Sequence, residues 1–406
     1  MKKVLLLITF LSIFLVGCGL GGGEVTTTEP IIIDTENFIE ISTVAELKAI
    51  EMNKSYILMN DLNLYGEEWV PLGTNSSPYL GVFDGNGNTI SYLSITKDNN
   101  YNGLFGKVEG KIFDLEISDF NIDYTTDKIT FAGGLAGLTT GDVENVSVVG
   151  NIKINNAKSN TYAGLLLGIS QSVLEAPYDL TAFKANLISS NQASGEIDVI
   201  TERIAFVGGL IGKSFNSIIS ENYVETNLSV VANLSHVHVG GLLGHNFSGI
   251  LSGFEIERVS KNLAITNNIA ISTISSEAKA ANSYAGGLIG YNFYGDSSDN
   301  YSETAIVSNG IVKVISLLIG EDWGSSIESN FAKGILTYLS QEEDENHLGA
   351  FIGRGFGNSE ISSNYYTSND DLQYLESKVS EEDSLDSQWY VNNLEWEATF
   401  ISKFLD

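Results

Sequence analysis

The sequence predicts an all-β fold: a right-handed parallel β-solenoid of about eight coils, with a short capping helix at its N-terminal end. Two observations carry the prediction. A glycine-rich phrase recurs eight times at a spacing near 31 residues, and an Asn or Asp follows each copy, next to a short β-rich run. Composition is the third observation. The 406 residues hold 41 Gly and only 4 Pro, which suits tight turns between strands and not a disordered linker.

The copies read YNGLFG (101–106), FAGGLAG (131–137), YAGLLLG (162–168), FVGGLIG (206–212), HVGGLLG (238–244), YAGGLIG (284–290), VISLLIG (314–320) and HLGAFIG (347–353). Their closing glycines are spaced by 31, 31, 44, 32, 46, 30 and 33 residues, so two copies carry insertions. A period of this size signals stacked repeats, each unable to bury its inner face alone. The second signal falls at Asp114, Asn145, Asn191, Asn222, Asn262, Asn300, Asn330 and Asn364. Asn and Gly are poor helix formers, and no 3.6-residue apolar rhythm is present. Runs such as VSVVGNIKI and YVETNLSVV read instead as strands bounded by turn residues. Stacked coils then place the Leu of each phrase in an aliphatic column, glycines where a β-carbon has no room, and the Asn residues in a buried ladder. Asp114, which only accepts when ionised, suits the first rung. Leu165, Ser316 and Leu317 break the glycine pattern and predict altered corners in their coils.

The chain divides into five segments. Residues 1–17 read as a signal peptide and 18–36 as a flexible tether. Residues 37–100 form an N-terminal cap with lead-in coils, 101–368 the repeats, and 369–406 an acidic C-terminal cap whose Trp389 and Trp396 are expected to fold over the last coil. Lys2 and Lys3 precede an apolar run from Val4 to Val16, too short for a bilayer, which takes about 20 residues. The run ends in Leu15-Val16-Gly17-Cys18, which resembles the bacterial lipobox. That resemblance implies lipidation of Cys18, cleavage after Gly17, and a membrane-lipid partner on the extracytoplasmic side of a bacterial membrane or on its outer surface. Cys18 is the single cysteine, so no intrachain disulfide forms. Thr43 and Glu46 make a capping-box pattern at the head of a short helix within TVAELKAIEMN.

The repeats resemble the GLUG motif family of bacterial surface proteins and of some immunoglobulin A peptidases. The lead-in ISTVAELKAI…SYILMNDLNL…WVPLGTNSSPYLGVFDGNGNTISYLSI resembles the segment those proteins carry before their first repeat. The resemblance spans about residues 38–367. It implies a surface β-solenoid. The peptidase half is not expected, because HExxH is missing.

Chemistry is sparse. With 51 acidic and 21 basic residues the chain carries a formal charge of −30, which disfavours nucleic acid, heparin-like chains and anionic lipid surfaces. No GxSxG, P-loop or CxxC motif is present. His236, His238 and His245 lie close in sequence and are weighed as the start of a Zn site, against a reading in which His236 and His238 are a surface-facing pair, with His238 in the aromatic slot of the phrase. Asp84, Asn86 and Asn88 in FDGNGN resemble part of a Ca²⁺ loop without its distal Glu, so a glycine-rich turn is preferred. The acidic runs 341–346 and 380–384 read as solvated loops. No metal, cofactor or catalytic residue is therefore assigned. The expected role is non-catalytic adhesion, binding or display toward a host, matrix or glycan ligand, with the insertions at 169–190 and 245–261 as binding candidates. The alternative is a glycan-active lyase or hydrolase, which needs paired carboxylates in a cleft.

Overall fold

A computed structural model describes residues 37–405, except 173–184, 253–254, 259–262, 339–345, 369–371 and 373–377. Cys18, Asn262, the insertion core at 173–184 and most of the run 341–346 lie outside the described residues. The described strands form two eight-stranded sheets, one twenty-stranded sheet and one two-stranded hairpin, and pairing between coils is parallel. The sixth coil shows the pattern. Ser283–Gly286 pairs with Lys313–Ser316, Ile289–Phe293 with Ile319–Trp323, and Tyr301–Gly310 with Phe331–Tyr338. The molecule is a parallel β-solenoid, with each repeat forming one coil.

The phrase places its residues as stacking requires. Leu104, Leu135, Leu166, Leu210, Leu242, Leu288, Leu318 and Phe351 form one fully buried column. The closing glycine sits where the neighbouring coil leaves no room for a side chain: a β-carbon on Gly290 would meet the carbonyl of Val239 at 2.5 Å. The corners at Leu165 and at Ser316–Leu317 differ from the regular ones in their hydrogen bonds, as the sequence expects. Leu165 N–H donates to Gly209 O (3.1 Å), where Gly209, Gly241 and Gly287 N–H reach the residue one earlier in the next coil; Leu317 N–H keeps the regular partner, Gly349 O (3.2 Å), but Leu318 N–H is taken by Ser316 Oγ (3.1 Å). The leucine side chains themselves are accommodated by a matched exchange of volume. In regular coils a β-carbon at the second glycine would strike the long strand behind it: Gly209 would meet Thr226 Cγ2 and Gly287 would meet Thr304 Cγ2, both at 2.7 Å. The register partners of those threonines in the coils of Leu165 and Leu317 are Gly195 and Gly334. Both leucines are fully buried where that side chain is missing.

The Asn ladder exists, with a different membership. Its rungs are Asn191, Asn222, Asn268, Asn300, Asn330 and Asn364, all buried. Each of the first five donates both its backbone N–H and its Nδ2 to the Oδ1 of the next, at 2.9–3.1 Å. The fifth-coil rung is Asn268, not Asn262, because the insertion ends further along the chain than the spacing implies. Asp114 and Asn145 are not rungs. They precede the ladder position by one residue, at φ of 53° and 52°, in a left-handed column shared with Ser190, Glu221, Asn267 and Asp299. Val146 occupies the rung position, and its N–H donates to Asn191 Oδ1 (2.9 Å).

Helix α1 (Val44–Lys48) carries the expected capping box: Glu46 N–H donates to Thr43 Oγ1, and Thr43 N–H donates to Glu46 Oε2. Its Leu47 is buried in the main core. Of the C-terminal helices α2 (Ser387–Leu394) and α3 (Ala398–Leu405), α2 reaches the last coil, where Trp389 packs on Tyr365 (5.0 Å), but the two helices do not close its end. They lie along the flank. The residue after each rung points outward there, and Tyr223, Ile269, Tyr301, Phe331 and Tyr365 form an apolar strip that packs with Trp389, Tyr390, Leu394, Trp396, Ile401 and Phe404. In earlier coils the same column is polar, with Glu116, Ser147 and Gln192 as register partners. The strip thus begins at Tyr223, and it is the aromatic column, not the solenoid end, that draws the tryptophans.

Candidate functional site

The long strands alternate buried and exposed residues, so their outer face is built of columns one coil apart. Two columns beyond the helical flank form the floor of an open groove of about 980 Å³. One column runs Ser194, Glu225, Ile271, Glu303, Lys333 and Thr367. The other runs Asn151, Glu196, Asn227, Thr273, Ala305 and Ile335. Residues 378–381, leading into the flank helices, form a wall. The groove therefore follows the stacking direction across consecutive coils, at about 4.8 Å per coil. Its carboxylates rise side by side from one sheet face. Glu225 and Glu303 share a column with Ile271 between them, and Glu303 is engaged by Lys333 Nζ (3.1 Å) and by the Tyr301 hydroxyl (2.7 Å). This floor offers amides, hydroxyls, acids and small apolar patches at a regular repeat, which suits an extended polymer. The column Glu225 and Glu303 was not legible in the sequence, because its members share no residue type.

The first residue of the glycine-rich phrase and the residue after its closing glycine meet in a seam between the eight-stranded sheets. The phrase's aromatic slot stacks from coil to coil: Tyr101, Phe131, Tyr162 and Phe206 have ring centroids 4.8, 4.8 and 4.7 Å apart. His238 continues that stack in the aromatic slot, tilted 5.1 Å from Phe206 and 5.0 Å from Tyr284, but it is buried between those rings and not surface-facing as the sequence reading expects. A second column faces it: Leu138, Ile169, Lys213, His245, Tyr291, Glu321 and Arg354. Lys213 is 3% exposed, with its ammonium over the rings of Phe206 (4.7 Å) and Phe215 (4.5 Å), and burial holds its pKa down to about 7. Burial pushes the Glu321 carboxyl up, although Arg354, bonded to it through Nε at 2.7 Å, pulls the other way.

His236, His238 and His245 are brought near one another, but no group of three or more His, Cys, Asp or Glu among the described residues is placed to hold a metal ion. His236 Nδ1 is instead taken by the N–H of Asn282 (3.2 Å). In FDGNGN the side chains serve the turn. Asp84 Oδ1 accepts from Asn86 N–H, and both Asn86 and Asn88 donate through Nδ2 to Leu58 O, at 3.1 and 2.9 Å. The second insertion forms an antiparallel hairpin, Gly249–Ser252 with Glu255–Arg258, rooted where Asn216 Nδ2 donates to Gly249 O (3.2 Å). Among the described residues no helix is long and apolar enough to cross a membrane.

No protein-family model matches the chain. A Gly-rich membrane protein of Evansella cellulosilytica is 31% identical over 134 residues, which cover 31% of this chain and 15% of that protein. This chain thus spans a small part of the length of the curated relative it matches. A crystal structure from Bacteroides ovatus, described as an immunoglobulin A1 protease, aligns with a TM-score of 0.41 at 14% identity, covering 80% of this chain and 84% of that one.

Proposed function

We propose that this protein is a GLUG-type surface lipoprotein, held to a bacterial membrane through Cys18, whose solenoid is a non-catalytic module that binds an extended polymer along the groove. The observation that carries the reading is the groove itself: two outward columns repeating once per coil beside the helical flank. A polymer with a comparable repeat meets the same kind of contact several times, and repeated weak contacts add up. The arrangement favours binding over glycosidic cleavage. Cleavage uses two carboxylates on opposite sides of the scissile bond, whereas Glu225 and Glu303 stand in line on one floor and Glu303 is tied to Lys333. The formal charge of −30 turns nucleic acid and other polyanions away, leaving neutral glycans and extended segments of host or matrix proteins as the partner class.

The test is a glycan and matrix-protein array probed with the Cys18→Ser chain and with the same chain carrying Thr273→Arg. Thr273 is an exposed floor residue, and the added bulk leaves the core untouched. Capture of a polymer by the first chain and at least a tenfold weaker capture by the second, about 1.4 kcal/mol, is expected. Equal capture by both moves the site away from the groove. Metabolic labelling of the parent chain with a fatty-acid probe, lost in Cys18→Ser, checks the anchor separately.

A further inference from the structure

The seam changes character in the fifth coil. In the second and third coils a ring faces an alkyl group across it, Phe131 with Leu138 and Tyr162 with Ile169. In the fifth coil His238 faces His245, with their Nδ1 atoms 3.3 Å apart. Both rings are buried, at 7% and 2% exposure. Such a contact uses one proton between two nitrogens, one ring donating and the other accepting. A second proton on the accepting Nδ1 sets two N–H groups against each other. A second proton on His245 Nε2 lands on a buried atom with no hydrogen-bond partner among the described residues.

The charged groups around the pair oppose an imidazolium. From the fourth coil come Phe206 and Lys213, from the fifth His236, and from the sixth Tyr284 and Tyr291. Lys213 and His236 repel a positive charge on the pair, and Arg354 acts on His236 in the same sense. Glu321, the nearest carboxylate in the column, lies beyond Tyr291 and is bound to Arg354.

We propose that the His238–His245 pair is an acid-sensitive latch: proton uptake from solvent separates the two rings and opens the seam locally in the fifth coil, the coil from which the Gly249–Arg258 hairpin springs, while the earlier coils keep their packing. Burial first, and then the neighbouring positive groups, hold both imidazoles well below the ordinary histidine value. The sign follows. The closed seam prefers the neutral rings, the opened seam takes protons below about pH 6.5, and closure weakens as pH falls through that value. The latch is independent of what the groove binds.

Hydrogen exchange of the full-length chain at pH 7.5 and pH 5.0, corrected for the intrinsic rate, tests it. Protection over 237–247 should fall about tenfold or more on acidification, while 130–139 in the second coil stays protected. The double variant His238→Phe/His245→Leu copies the Phe131–Leu138 pairing and should lose the acid response. Unchanged protection over 237–247 in the parent chain, or a double variant with the full response, overturns the proposal. The latter result assigns the response to Lys213 or to the buried acids. Ring NMR signals of the parent chain provide a check that needs no variant. Both imidazoles should stay neutral until the seam opens, then titrate together with it, and separate titrations without opening would also overturn the latch.

Discussion

Replacing Asn300 with alanine is expected to cost about 3–5 kcal/mol of folding stability, because several buried polar groups lose partners at once. Asn300 Oδ1 accepts from the backbone N–H and Nδ2 of Asn268, and its Nδ2 donates to Ile265 O, Ser298 O and Asn330 Oδ1. Alanine leaves the Asn268 N–H without an acceptor inside the stack. Asn364→Ala should cost less, since no further rung follows it. Asn155→Ala, at an exposed position of a long strand, should change stability by less than about 0.5 kcal/mol. Solenoid stability is close to a sum over neighbouring coils, so the damage should concentrate between residues 268 and 330. Urea unfolding gives the magnitudes and limited proteolysis the location. Parent-like stability of Asn300→Ala would show that the ladder is not a structural element.

Lys213→Met is expected to stabilise the protein at pH 7. Lys213 is buried over two aromatic faces and forms no salt bridge among the described residues. Lowering its pKa from 10.5 to about 7 makes its burial unfavourable by at most about 5 kcal/mol at and below pH 7. The cation–ring contacts return about 2 kcal/mol of that. A net gain of about 2–3 kcal/mol is expected for a methionine of similar length. The unfolded chain binds more protons than the folded one between pH 7 and 10.5, so parent stability rises with pH across that window. The gain from Lys213→Met should therefore be full at pH 7 and fade toward pH 10.5. Denaturant midpoints at both ends of the window give the comparison. A destabilised variant, or one with the parent's pH slope, would contradict the assignment of Lys213 as a buried, unpaired base.

The features legible in the sequence are those that one residue type repeats. The Leu column, the crowded glycines and the Asn ladder could be read because each position demands a single side chain. Errors arose where two demands favour the same residue. Both the rung and the left-handed residue before it favour Asn, so Asp114 and Asn145 passed for rungs. The fifth coil offers Asn262, Asn267 and Asn268, and spacing alone cannot choose when an insertion has shifted it. The flank strip of Tyr223, Ile269, Tyr301, Phe331 and Tyr365 follows every rung from the fourth coil on, and only the structure shows it covered by helices. The second seam column, from Leu138 to Arg354, mixes apolar, basic, aromatic and acidic residues, so no pattern marks it. The same holds for the groove floor, where exposed positions are free to vary. The coupling of Leu165 to Gly195 and of Leu317 to Gly334 requires the register to be known first.

The register also supplies the most direct test, because the ladder, the seam and the groove all depend on which residues stack. Asn227 and Thr273 are register partners on exposed faces of the fourth and fifth coils. At a strand spacing of about 4.8 Å, cysteines there fall within disulfide reach, which is about 4.4–6.8 Å between Cα atoms. In a Cys18→Ser background, Asn227→Cys with Thr273→Cys should form an intramolecular disulfide under mild oxidation. Asn227→Cys with Ala305→Cys, two coils apart, should stay reduced, as should Asn227→Cys with Asn267→Cys, the pairing that an Asn262 rung would require. Cross-linking of either control pair in place of the first would contradict the stacking on which the solenoid, its ladder and its groove are built.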